Sequence, residues 1–307
     1  LAELAEGASV EVAPADVLDD NNFTLPSRVY VNMIRREASH FEDVAAAVSR
    51  CRALGVRTVV PHVPAARFHS VDHAHNVLQD LASAGASACL VLGGDDGNDK
   101  RVFADAMALL KAMPLPDTKS VAVAGYPEGH PRLTRPLSAQ LLRAKCEFAL
   151  SRGFDVVRIT TQFTLDTHAL VTWLRATLSD LRPLFTTSQR LHVDLGIPGP
   201  TPWSTLLRIA DLCRVHCAGP SAFFRDDGTT RAVDEEPWFD PTAQLLAIAD
   251  FCERANLPPG DVNVHFFAFG GGLPDTLRLL ARLRDDPCSS LVRTTSSSSS
   301  SEENQPT

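Results

Sequence analysis

Eight short β-rich runs recur along this 307-residue chain, and a helix-length stretch follows each of them. The runs lie at 9–13, 28–32, 57–61, 88–92, 120–124, 155–161, 191–195 and 262–268. Several are continuous apolar runs, as expected of strands covered on both faces. Between them the apolar residues recur at i, i+3, i+4 and i+7, as in Val44, Val48, Cys51 and Leu54, or Leu206, Ile209, Ala210 and Cys213. That spacing paints one stripe along a helix. Thr201-Pro202 and Asp240-Pro241 read as an N-cap followed by proline in the first turn. Eight strands, each with its helix, is the count of a single α/β barrel, a (β/α)8 TIM barrel, spanning 1–293. A doubly wound open sheet is the alternative. It requires a G-x-G-x-x-G turn after the first strand, where this chain reads SVEVAPAD.

Two stretches break the rhythm. Residues 219–240 form a long polar insert with Phe223, Phe224, Trp238 and Phe239 among its charges, a length that marks a functional or mobile loop. Arg225 and Arg231 lie in it, and we expect it to cover the barrel mouth or to pack its aromatics on neighbouring helices. Residues 294–307 contain no apolar side chain and read as a disordered, serine-rich tail.

The charge balance restricts the partners. With 29 basic and 37 acidic side chains the net charge is −8, which argues against a nucleic-acid binder or an anionic membrane surface. No run of about 18 apolar residues is present to span a bilayer. The start lacks a secretion leader, which fits a cytoplasmic protein or one whose targeting segment has been removed. Seven cysteines are scattered, and Cys51, Cys213 and Cys252 fall on apolar helix stripes. Cys213, His216 and Cys217 lack the second ligand pair a zinc site needs, and His69, His73 and His75 lack a carboxylate partner. No metal site is expected.

In such a barrel the active site lies at the C-terminal ends of the strands. Those ends carry Glu11, Asn32, His62 after Pro61, the turn Gly93-Gly94-Asp95-Asp96-Gly97, the stretch Gly125-Tyr126-Pro127-Glu128-Gly129-His130-Pro131, Gln162, Gly196 to Pro200, and Gly270 to Gly272. Glu11 stands between two valines in a period-two strand, so it points into the barrel. An inward carboxylate in apolar surroundings has a raised pKa and serves as a general acid, whereas a buried ion pair is the structural alternative. His62 reads equally as a ligand contact or a hydrogen-bonded core histidine.

Taken in order, these segments resemble the methylenetetrahydrofolate reductase family over residues 9–285. The matching stretches are Ser9-Val10-Glu11-Val12, Pro61-His62, Leu92-Gly93-Gly94-Asp95, Ala124 through Pro131, Thr161-Gln162-Phe163 with Asp166, and His265-Phe266-Phe267-Ala268-Phe269-Gly270-Gly271. The resemblance implies a compact bacterial-type barrel that binds FAD, takes hydride from NADH or NADPH, and reduces methylenetetrahydrofolate. It implies that Glu11 protonates the folate so that its five-membered ring opens to an iminium, that Asp95 stabilises this cation beside the flavin, and that Gln162 holds the pterin. Asn32, His62, Leu92, Gly94, Ala124, Tyr126 and His130 would line FAD, with Lys145 on its phosphates. Gly93 stands where many relatives have arginine, and Gly270-Gly271 where many have an Asn-Arg pair. A small-molecule folate is thus the expected partner, and a homo-oligomer is compatible with the sequence. Two alternatives stay open: a pterin-binding barrel methyltransferase without flavin, and a non-catalytic barrel that keeps only ligand binding.

Overall fold

The computed structural model describes residues 1–19, 23–33, 40–94, 101–114, 117–217 and 237–285. Asp95, the insert up to residue 236 and the tail at 294–307 lie outside them. Eight parallel strands form a closed barrel: β1 (Ser9–Val12), β2 (Arg28–Val31), β3 (Thr58–Pro64), β4 (Leu90–Leu92), β5 (Ser120–Gly125), β6 (Val156–Thr161), β7 (Arg190–Pro198) and β10 (Val262–Phe267). Each sits on one of the eight β-rich runs. Closure is made by β1 against β10, with Ser9 opposite His265 and Glu11 opposite Phe267. The open-sheet alternative is thereby excluded.

Alternation sorts the strand residues into two sets. Outward residues such as Val10, Val29, Val59, Val121, Val157, Val193 and Phe266 are fully buried against the helices. They meet the stripes of α3 (Phe41–Ala53), α4 (Val71–Ser83), α6 (Arg135–Ser151), α7 (Thr167–Leu181), α9 (Thr242–Arg254) and α10 (Leu273–Asp285) in one continuous core. Val44, Val48 and Cys51 of α3 face it as their spacing implies. The shorter α2 (Pro14–Leu18) and α5 (Ala106–Ala112) follow β1 and β4. Three of these helices begin on a side chain that caps their first turn: Ser70 accepts from the His73 amide, Asp105 from Ala108 and Asp166 from Ala169.

The two proline signals mark helix starts one residue later than the sequence suggests. Thr201 and Pro202 form the two-residue strand β8, and α8 (Trp203–Cys213) starts after Pro202. Before α9, Asp240 Oδ1 accepts from the Thr242 amide at 2.9 Å and from its hydroxyl at 2.6 Å. Strand β9 (Trp238–Phe239) pairs antiparallel with β8, so the end of the long insert is sewn to the rim beyond β7. Phe239 is buried beside Trp203, while Trp238 is 45% exposed. Of the four insert aromatics, Phe239 therefore packs onto α8, the second of the two placements expected of them. Phe223, Phe224, Arg225 and Arg231 lie outside the described residues.

Inside the barrel, polarity is divided by side. Val60, Leu90, Ala122 and the ring of Tyr30 fill one part with apolar volume. The lower part carries an ion network. Asp194, fully buried, accepts from Arg28 Nη1 at 2.8 Å, from Tyr30 Oη at 2.6 Å and from Asn263 Nδ2 at 3.1 Å, and Arg158 Nη1 lies 3.7 Å away. Burial by itself raises the Asp194 carboxyl, but the two guanidiniums and the Tyr30 hydrogen bond hold it at about 2. Helix α1 (Ala2–Glu6) closes this end, with Arg28 donating to the Gly7 carbonyl and Arg284 to the Ala5 carbonyl.

Candidate active site

At the opposite end the inward residues of β1, β2, β3 and β10 converge on one carboxylate. Glu11 is 4% exposed. Its Oε1 accepts from Asn32 Nδ2 at 3.1 Å, and its Oε2 lies 3.4 Å from His62 Nε2 and 3.5 Å from His265 Nε2. Neither imidazole nitrogen has a closer partner among the described residues. Behind His265, its Nδ1 shares a hydrogen bond of 2.9 Å with Ser9 Oγ. The tautomer that takes the Ser9 proton on Nδ1 points an N–H from Nε2 toward Glu11.

This environment corrects the expected acidity of Glu11. Burial is the largest influence and pushes the carboxyl up. The charge of His62, the hydrogen bond and charge of His265, and the Asn32 amide together overcome it, so the pKa falls below the ordinary value of 4.5. The valines beside Glu11 in the sequence face the helices, and its actual neighbours come from other strands. Glu11 is therefore ionised at neutral pH in the free protein. His62 is pushed down by burial, against the pull of Glu11 and with a further push from His265, which favours its neutral form. Glu11 is the anion of this cluster, under a mouth otherwise lined by rings.

Those rings come from β10 and the turn after β6. Tyr30 meets His265 edge-on at 4.5 Å, and His265 meets Phe267 edge-on at 4.9 Å. Phe267 packs against Phe163 at 5.5 Å and stacks on Phe269 at 5.7 Å. Gly196 makes this wall possible. A Cβ there would stand 2.5 Å from the Thr161 carbonyl oxygen and 2.8 Å from the Phe267 ring. Gln162 stands at this wall and turns its Oε1 back to the Phe163 amide at 3.1 Å.

Across the mouth, the ends of β4 and β5 form a bare shelf. Leu92, Gly93, Gly94 and Ala124 are half-buried there. A side-chain atom added at Gly93 would meet open space, whereas one at Gly94, whose φ is +81°, would strike the Ala66 methyl at 2.8 Å. Tyr126 and His130 pack edge-on at 4.6 Å, and His130 Nδ1 accepts from the Arg132 amide at 3.1 Å. Between them in sequence, Glu128 is a rim residue to which the sequence reading assigns no role. Its Oε1 accepts from Thr164 Oγ1 and its Oε2 from the His216 amide at 2.8 Å, which ties the loops after β5 and β6 to the segment after α8.

Lys145 does not join the mouth. It stands ten residues into α6, about 15 Å along the axis from the rim end of that helix. It is mostly buried, and burial pushes its ammonium down while the charge of Asp105 opposes this. The cation expected on a phosphate thus faces the N-cap of α5. Asp95, the expected counter-charge, lies outside the described residues. Among the described residues no three His, Cys, Asp or Glu side chains are placed to hold a metal ion, and no helix is long and apolar enough to cross a membrane.

No protein-family model matches the chain. Solved structures do resemble it. A Clostridium thermocellum protein that binds two copies of 5-methyl-5,6,7,8-tetrahydrofolic acid superposes with a TM-score of 0.59 at 8% identity, over 91% of this chain and 95% of the other. Dihydropteroate synthase from Thermus thermophilus gives 0.45 at 13% identity over 91% and 92%. A putative phosphonomutase from Burkholderia cenocepacia gives 0.45 at 8% identity over 93% and 99%. At 8% identity the likeness to the Clostridium thermocellum protein is one of fold.

Proposed function

We propose that the mouth binds a reduced folate, pterin ring first, and that the chain is a flavin-dependent methylenetetrahydrofolate reductase. The observation that carries the reading is Glu11, a buried carboxylate held by Asn32 and flanked by His62 and His265 at the base of an aromatic wall. Such a site offers a flat heterocycle a ring surface and offers its polar edge a fixed anion. The sequence resemblance and the methyltetrahydrofolate bound by the Clostridium barrel point to the same ligand class.

The shelf fits a flat cofactor ring, since the space at Gly93 is open and neither glycine carries a side chain over it. Leu92, Gly93, Gly94, Ala124 and Tyr126 would hold the isoalloxazine of FAD, which supplies hydride drawn from NADH or NADPH. The protein's own contribution lies in the cluster. A proton taken up from solvent is shared by Glu11, His62 and His265 and passes to N10 of methylenetetrahydrofolate as the N10–CH2 bond breaks. The departing proton leaves Glu11 as a carboxylate, the counter-charge the iminium requires. Asn32 keeps Oε1 in place, Ser9 orients His265, and Gln162 meets the pterin edge.

One observation favours the runner-up, a flavin-free pterin barrel. Lys145 faces Asp105, so the phosphates of FAD lack the cation assigned to them. Calorimetric titration with 5-methyltetrahydrofolate tests what the two readings share. Wild-type protein should bind one equivalent, and Phe267→Ala should weaken it about 10-fold or more through lost ring packing. Absence of binding by wild-type protein would refute both.

A further inference from the structure

A second concavity opens on the same face of the barrel, outside the strands. It is a cleft of about 990 Å³ between the entry ends of α3 and α4, and none of the roles above uses it. We propose that it binds the diphosphate of a nucleotide, the ADP moiety that flavin and nicotinamide dinucleotides share. The mouth reading bears only on which of the two dinucleotides supplies it.

Position is the first argument. Met33, which lines the cleft, directly follows Asn32 of the Glu11 cluster. Ala66, also in its lining, donates its amide to the Gly93 carbonyl at 3.1 Å and lies under Gly94. Cleft and shelf therefore share a wall. A dinucleotide with its ring on the shelf can run its phosphates outward into the cleft.

Chemistry is the second. Arg67 and Arg101 line the cleft together with the carboxylates of Glu42 and Asp80, in a chain whose net charge is −8. Arg101 is half-buried and has no hydrogen-bond or ion-pair partner among the described residues. A partly desolvated guanidinium presents a planar fork that matches a phosphate. The stacked rings of His69 and His73, 5.2 Å apart, add N–H donors beside it. The wall behind is Phe41 stacked on Phe68 at 5.0 Å with nearly parallel rings, an apolar surface for a base. Asn76 and Asp80 farther along α4 supply the amide and carboxylate that sugar hydroxyls take. The cleft thus provides cations nearer the shelf than Lys145, which lies well along α6.

The test is calorimetric titration of nucleotide-free full-length protein with ADP, FAD, FMN and NADH, in wild-type, Arg101→Gln and Arg101→Lys forms. Wild-type protein should bind ADP, and Arg101→Gln should weaken it about 10-fold or more, the loss typical of a charged hydrogen-bond donor, with Arg101→Lys between. An unchanged melting temperature shows that the effect is local. If the cleft serves FAD, wild-type protein binds FAD more tightly than FMN and the gap closes in Arg101→Gln. If it serves NADH, FAD and FMN bind alike and only NADH weakens. Protein that binds ADP and NADH in this Arg101-dependent way but no flavin supports the cleft and removes the flavin reading. Wild-type protein that binds no ADP, or ADP affinity equal in the three forms, overturns the cleft whatever flavin does.

Discussion

The carboxylate of Glu11 and the imidazole of His265 face each other across the seam where the first strand meets the last, Oε2 to Nε2 at 3.5 Å. Barrel closure alone makes them neighbours, since 254 residues separate them in the chain. Glu11→Gln keeps the shape of the site but removes its charge and its proton. Flavin reduction by NADH should remain near wild type while folate reduction slows by about 10²–10⁴-fold, the usual worth of general acid–base catalysis. Stopped-flow measurement of the two half-reactions checks this, and equal losses in both would make Glu11 structural.

The lowered pKa of Glu11 predicts the pH dependence of the proposed folate step. Because the carboxylate is ionised at neutral pH, the protonated cluster is scarce there and becomes more abundant as pH falls. The folate half-reaction should accelerate from pH 8 to pH 6, and flavin reduction by NADH should not follow it. A folate step that slows on acidification over that range would contradict the shared-proton role.

Asp194 is the stability counterpart at the other end of the barrel. Its folded pKa of about 2 lies below the ordinary 3.8, so its contribution is present above pH 3.8 and is lost as pH falls toward 2. A shift of this size corresponds to roughly 2–3 kcal/mol. His62, also pushed down, adds a loss that begins as pH falls below its ordinary 6.5. Asp194→Asn leaves Arg28 and Arg158 without their anion, and should cost on the order of 3–5 kcal/mol at neutral pH. Urea unfolding of wild type and variant at pH 7, and of wild type at pH 4 and near pH 2, measures these effects in turn. A variant as stable as wild type would show the network to be dispensable.

Gly196→Ala tests the aromatic wall. The added methyl would stand 2.5 Å from the Thr161 carbonyl oxygen and 2.8 Å from Phe267, so backbone or ring must shift. Overpacking of this kind costs about 1–3 kcal/mol. We expect a lower melting temperature together with weaker 5-methyltetrahydrofolate binding. Weaker binding in Gly196→Ala should be matched by Phe267→Ala, and a wild-type affinity in both would remove the wall from the ligand site.

The fold was legible because its signal is local. Each strand lies on an apolar run, and Val44, Val48 and Cys51 face the core as their spacing implies. The rim rule led to Glu11, Asn32 and His62, which the structure brings together. What escaped depends on register between distant segments. Asp194 meets Arg28 across 166 residues, and its only trace is a charge inside the apolar run LHVDLGI. Ser9 and His265 were visible in matching stretches, but only closure of β1 on β10 makes them support Glu11. The acidity of Glu11 was misjudged for the same reason: its sequence neighbours point outward, and the groups that govern it arrive from β2, β3 and β10.

One anaerobic spectrum tests directly whether hydride passes through a flavin to a folate held over Glu11. Purified protein should show flavin absorbance, lose it on addition of NADH or NADPH, and regain it when methylenetetrahydrofolate is added. Colourless protein that binds no added FAD, or reduced flavin that methylenetetrahydrofolate leaves unchanged, would contradict the proposed activity.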